Sequence, residues 1–314
     1  MVGAWANPHD WVAGGWGFRA SSKEELMYAV SRIGTHQAGK RYVWRGIDTA
    51  SYRISSSLYR YVAAALGRKP VESDLRAYER RIVLQAREWG IGSDQGHKAT
   101  DFHILAQLQH EGVPTRLLDV TPNPMTALWF ACASNRTKPG VLFAFEVSDW
   151  TQIPTTEDFA DTWVGIGGGK EMNVALSTHG DKPFMIVPRS ASGRLAAQEG
   201  LFWTSRVISG GSVSGVDGLS IPTSSPPPGR DALAEMLSIG KRGQGHPRKL
   251  PICAIVIPSR VKSQMLTHLG STYNRSRSVL FPDVGGFHAA FDFNEVDLDT
   301  YPLGLEESDE EASA

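Results

Sequence analysis

The sequence predicts an α+β domain, on three observations. Apolar residues follow helical spacing mainly in the first half of the chain. Short runs of branched and aromatic residues come mainly in the second half. The two patterns do not alternate as they do in a doubly wound sheet. The expected architecture is an N-terminal helical part packed on a mixed sheet. Residues 1–20 hold Trp5, Trp11, Trp16 and Phe18 and read as an aromatic packing arm, with base stacking as the alternative use. Ser22 followed by Glu25 is a capping-box pattern that opens a helix through Ile33. Leu75, Tyr78, Ile82, Ala86 and Trp89 have helical spacing, and Gly90 stands where that helix should stop. A further helix runs from Asp101 to His110 and ends at Gly112. Asn123 caps the next one, with Pro124 at its first position. Its Met125, Leu128, Trp129 and Cys132 form one apolar face. A last helix spans 259–269, closed by Gly270. Strands are expected at 42–44, 116–120, 141–147, 184–187, 201–204, 252–257 and 278–281. The main domain takes in 21–304. Ser, Gly and Pro from 211 to 230, then a basic run at 241–249, read as a surface insertion near 211–249. Residues 305–314 read as an acidic disordered tail.

With 314 residues, 41% hydrophobic and 21% charged, the chain can bury a full core and is not a disordered protein. The net charge is -1 and becomes +4 without Glu306, Glu307, Asp309, Glu310 and Glu311. The folded body is therefore mildly basic, which permits an anionic ligand without demanding one. Two cysteines make neither a disulfide framework nor a four-cysteine zinc site. No apolar run is long enough for a membrane helix, and the N-terminus lacks the pattern of a signal peptide. A cytoplasmic protein with no membrane contact is expected.

Four segments place polar groups at the ends of apolar strands, beside glycine or proline. In Trp44-Arg45-Gly46 an arginine leaves a strand where glycine lets a phosphate approach the backbone. The alternative is a structural salt bridge. The segment 109–124 holds Thr115, Arg116, Asp119 and Thr121 where burial demands partners. It is either a preorganised ligand wall or the setting of an internal Arg116–Asp119 ion pair. The segments 194–203, with Arg194, Gln198 and Glu199, and 280–286, with Asp283, flank glycine with a carboxylate or amide. Such a group polarises a hydroxyl or caps a turn. Other chemistries fit less well. The glycines of 165–169 with Lys170 fail the phosphate-loop spacing at Val164 and Glu171. His97, His103 and His110 lack the spacing and carboxylate of a metal site, so no metal is expected. There is no G-x-S-x-G elbow, and Cys132 belongs to an apolar stripe.

Together the four segments resemble the FRG domain family, named after an aromatic-Arg-Gly motif that here reads Trp44-Arg45-Gly46, followed by Ser57-Leu58-Tyr59-Arg60. The longest match is QHEGVPTRLLDVTPNPMTALWFACA, from Gln109 to Ala133. Arg194 with Gln198-Glu199-Gly200-Leu201-Phe202, and Leu280-Phe281-Pro282-Asp283, support it. The resemblance covers about 20–295, departing at Glu111, where the family has an aromatic, and in the loop around Pro226. It implies the fold unit and leaves the reaction open. A second resemblance is to ADP-ribosyltransferases of the Arg-Ser-Glu type. It rests on the order Trp44-Arg45-Gly46, Asp119-Val120-Thr121, Ala127-Leu128-Trp129-Phe130-Ala131, the strand at 141–147, then Gln198-Glu199. This resemblance implies a split, mainly antiparallel sheet and NAD as substrate. Arg45, Gly46, Thr115, Arg116, Asp119, Thr121 and Arg194 would bind NAD. Arg45 with Gln198 or Glu199 would act in catalysis. The implied activity is transfer to a macromolecule, nucleic acid or protein, in a toxin or phage-defence setting, with an antitoxin as candidate partner. The alternative is a non-catalytic nucleotide- or nucleic-acid-binding module, which needs only a basic surface. Arg45, Thr115, Arg116, Asp119, Thr121, Arg194 and Gln198 are expected to face one cleft.

Overall fold

The structure, a computed structural model, describes residues 8–35, 39–94, 97–155, 170–188, 193–208, 213–223, 226–240 and 250–290. The first elements in chain order are β1 (Gly17–Arg19), α1 (Lys23–Thr35), β2 (Tyr42–Ile47), α2 (Ser57–Leu66), α3 (Glu72–Glu88), β3 (Ser93–Asp94), β4 (His97–Lys98) and α4 (Asp101–His110). Next come β5 (Leu118–Val120), α5 (Pro124–Ala133), β6 (Gly140–Glu146), β7 (Thr151–Pro154), α6 (Lys170–His179), β8 (Phe184–Val187), α7 (Gly193–Ala197) and β9 (Leu201–Thr204). The last are α8 (Arg230–Leu237), β10 (Ile252–Ile257), α9 (Ser259–Tyr273), α10 (Arg277–Leu280) and α11 (Val284–Ala290).

The strands β6, GVLFAFE, and β10, ICAIVI, are apolar at almost every position. Strands of that kind must be covered on both faces. Both lie centrally in a four-stranded sheet of order β1-β10-β6-β2, in which only β1 and β10 run parallel. Leu142, Ala144, Cys253 and Ile255 of one face pack under α1, α5, α8 and α9. Val141, Phe143, Phe145 and Ala254 of the other face meet Leu118, Val120, Met185 and Trp203. Those residues belong to a second four-stranded sheet, β5-β9-β8-β7, with β7 and β8 parallel. Its outer face, with Phe184, Ile186 and Phe202, packs on Val83 of α3, Phe102 and Leu105 of α4 and Met172 of α6. The result is four layers, helix, sheet, sheet and helix. At one edge the sheets touch: the Trp44 N–H donates to Thr121 O at 2.7 Å, and the Thr121 N–H to Trp44 O at 2.9 Å.

The fold is α+β, with mixed, mainly antiparallel sheets. Among the described residues helices run from α1 to α11 and are not confined to the N-terminal part. The helices at 101–110 and from Pro124, and the strands at 184–187, 201–204 and 252–257, lie where the sequence places them. The segment 278–281 is not a strand. Ser276 caps a short helix there, its Oγ accepting from the Val279 N–H at 3.4 Å, and only Leu280 is buried. Gly270 does not stop α9, because its backbone stays helical; the stop is Asn274 in the left-handed region, φ 51°. Trp11 and Trp16 fill the space between the sheets, and Phe18 sits in β1, so the aromatic segment packs into the domain. Of the segment read as a surface insertion, Val213, Val216, Leu219 and Ile221 are core residues, as are Leu233 and Met236 of α8. Trp5, the glycines at 165–169, the basic run 241–249 and the tail 305–314 lie outside the described residues. Among the described residues no helix is long and apolar enough to cross a membrane.

Candidate functional site

A cleft of about 260 Å³ opens where the two sheets touch. β2 contributes Trp44, Arg45 and Gly46, and the end of α4 contributes Gln109 and His110. Asp119, Val120 and Thr121 enter from β5 and the residue after it. Helix α5 adds Thr126, Ala127 and Phe130, and α7 with the turn that follows adds Arg194, Leu195 and Gln198. Phe281 closes one side.

Arg45 is positioned by β5. Its Nη1 donates to the Asp119 carbonyl at 2.6 Å and lies 3.5 Å from Asp119 Oδ2. Its Nε is buried and has no partner. The Asp119 carboxylate accepts from Gln109 Nε2 at 3.0 Å, and Gln109 Oε1 in turn accepts from Thr115 Oγ1 at 2.7 Å. With 57% of its side chain exposed, Asp119 presents a carboxylate to the cleft. Gly46 borders the cleft, but its lack of a side chain serves packing. A Cβ there would lie 1.8 Å from Ala127 O, so only glycine lets α5 rest on β2.

From α7, Arg194 donates from Nε and Nη2 to the two oxygens of Asp283 at 2.8 and 3.0 Å. Its guanidinium also lies 4.9 Å from the centre of the Phe281 ring. The Arg194 fork, with the Gly286 N–H, holds the Asp283 carboxyl below the usual range. Gln198 reaches Leu280 O with Nε2 at 3.0 Å.

Arg45, Asp119, Thr121, Arg194 and Gln198 therefore meet in one cleft. Thr115 and Arg116 do not. Thr115 is fully buried behind Gln109, and Arg116 is 1% exposed and turned to α3. Its Nε donates to Glu79 Oε1 at 2.7 Å and its Nη2 to Glu72 Oε1 at 3.1 Å. The anticipated Arg116–Asp119 pair is thus replaced by an Arg116–Glu79–Glu72 cluster. Glu199 also turns away. Its backbone is left-handed, φ 51°, and its carboxylate accepts from Asn123 Nδ2 and Arg275 Nη2, both at 2.8 Å.

Sequence reasoning missed Gln109, His110, Thr126, Phe130 and Phe281 as lining residues. Gln109 and His110 open the longest quoted motif, so their place was available as a signal. Thr126 had none: it is fully buried and its Oγ1 has no partner. Burial pushes both the Cys132 and Cys253 thiols up to about 12, so neither is a nucleophile near neutral pH. Among the described residues no group of His, Cys, Asp and Glu could hold a metal ion.

No curated protein and no solved structure matches the chain. Residues 40–139 match the FRG domain, a span that includes β2, α2 to α4, β5 and α5. Arg45, Gln109, Asp119, Thr121 and Phe130 all fall inside it, and Arg194, Gln198 and Phe281 outside. The wall of the cleft built by β2, the end of α4, β5 and α5 therefore falls in the span that is similar to the FRG domain, residues 40–139.

Proposed function

We propose that the cleft binds NAD and that the protein is an ADP-ribosyltransferase acting on a macromolecule, nucleic acid or protein. The observation that carries this reading is the meeting of Arg45, Asp119, Arg194 and Gln198, from three separate segments, in one cleft with an apolar side. Arg45, whose Nε has no partner, and Arg194, whose fork to Asp283 uses only Nε and Nη2, leave guanidinium N–H groups that suit the charge of a diphosphate. The apolar side, with Phe130 and Phe281, suits a flat ring. Breaking the bond between nicotinamide and ribose develops positive charge on the ribose. In this reading the Asp119 carboxylate stabilises that charge and Gln198 holds a ribose hydroxyl. A cytoplasmic toxin or phage-defence effector, with an antitoxin as partner, is the setting proposed with it.

One observation favours the non-catalytic reading, a nucleotide- or nucleic-acid-binding module. The Glu199 carboxylate is already held by Arg275 and Asn123, so the enzyme reading leans on Asp119 and Gln198. The two readings separate in an assay of NAD consumption and label transfer to RNA, DNA and protein, run beside calorimetry of NAD binding. For the transferase, Arg45→Ala weakens NAD binding. Gln198→Ala and Asp119→Asn lower turnover about 10²–10³-fold, while Glu199→Gln has little effect. Absence of NAD binding by the wild type ends the transferase reading.

A further inference from the structure

Helix α3 sorts its charges. Glu72 and Glu79 turn inward to Arg116, and Asp74 is taken by Arg68. Arg76 and Arg87 also have carboxylate partners, Glu79 and Asp101. Arg80 and Arg81 are exposed and, among the described residues, have no hydrogen bond or ion pair. Glu88 is the one acid of α3 left on the exposed face. Beside these cations stands an unusual run of aromatic surface. Trp89, which ends the helix, is 86% exposed, and Tyr61 of the neighbouring α2 is 56% exposed. The Tyr61 ring meets that of Tyr78 edge-on, 6.2 Å between centres. Tyr78, Arg81, Gln85 and Trp89 follow one another at helical spacing and so form a single ridge, about 16 Å long at 1.5 Å per residue. Leu84, also exposed, lies beside it.

A large ring left in water is a poor use of apolar surface unless something covers it. Unpaired arginines beside it select a polyanion. Rings that protrude stack on bases only where those bases are unpaired. We propose that the Tyr61–Tyr78–Arg81–Trp89 ridge, with Arg80, is a docking surface for single-stranded nucleic acid. Bases stack at Trp89 and at the tyrosine end, with phosphates at Arg81 between them and at Arg80 on the next flank of the exposed face. The surface is separate from the cleft, and the inference does not rest on the use of NAD.

The test is fluorescence anisotropy with dye-labelled single-stranded RNA and DNA of about ten nucleotides, without NAD, over a range of salt. The wild type is expected to bind, more weakly as salt rises. Trp89→Ala weakens binding about 5- to 100-fold through the lost stack. Arg80→Gln with Arg81→Gln lowers the slope of log affinity against log salt by about 1.4, for two phosphate contacts on a single strand. Because the changed side chains are exposed, the variants should melt with the wild type. Failure of the wild type to bind either oligonucleotide overturns the proposal, as does binding that the variants leave unchanged. Sedimentation showing a wild-type dimer that Trp89→Ala dissociates would assign the ridge to a second copy instead. NAD calorimetry judges the cleft separately, so the two readings fail independently.

Discussion

Arg116 and Glu199 show what a single side chain decides. Both stand in motifs full of polar residues, and the motif alone does not say which way each one points. Arg116 lies just before β5 and turns to α3, whose Glu72 and Glu79 are far away in the chain. That distance is why its partners were not legible, whereas its need for partners was. Glu199 turns away because its backbone is left-handed, a conformation for which a non-glycine sequence gives little warning. Arg116 also carries a clear expectation. Its removal leaves Glu79, whose side chain is 1% exposed, with Arg76 alone as its cation, and takes the guanidinium from Glu72 as well. Breaking a buried pair from one side costs about 3–5 kcal/mol, so Arg116→Met should lower the urea midpoint strongly. Replacing Arg116 and Glu79 together by apolar residues should recover part of that loss, and denaturant unfolding of the single and double variants checks both.

Helix α5 was the most legible element. Asn123 caps it, its Oδ1 accepting from the Met125 N–H at 2.9 Å, and Pro124 opens it. The expected apolar face is present: Leu128 and Cys132 are fully buried and Trp129 is 7% exposed. The opposite face was missed. Ala127 and Ala131 are small because the backbone of α5 lies directly on β2 and β6. Gly46 and Gly140 answer them, since a Cβ at Gly140 would lie 2.2 Å from Ala131 O. A helix buried all round shows no polar face to mark its orientation. Trp129 packs edge-on against Phe130 at 5.2 Å and also meets Phe281, at 5.7 Å. Trp129→Ala is expected to destabilise by about 3–5 kcal/mol, read as a clear fall in melting temperature. It should also loosen the cleft wall at Phe130 and Phe281.

For the molecule as a whole, strands that are apolar throughout announced themselves, and their burial between layers explains why. The pairing of β1 with β10 joins residues as far apart in the chain as Gly17 and Ala254, so no local pattern encodes it. The cleft was legible as a set of polar residues at the ends of apolar segments. Its location where the sheets are hydrogen-bonded to each other was not, because the backbone bridge there is an isolated pair, Trp44 and Thr121. This pair turns two peptide groups into sensors. Their N–H groups are tied across the two sheets, so exchange with deuterated solvent requires the sheets to part there. The amides within β6 and β10 are held inside one sheet and exchange only when the core itself opens. A molecule bridging Arg45 and Arg194 ties the walls together. It should slow deuterium uptake in peptides containing Trp44 and Thr121 and leave β6 and β10 unchanged, which mass spectrometry with and without NAD can read.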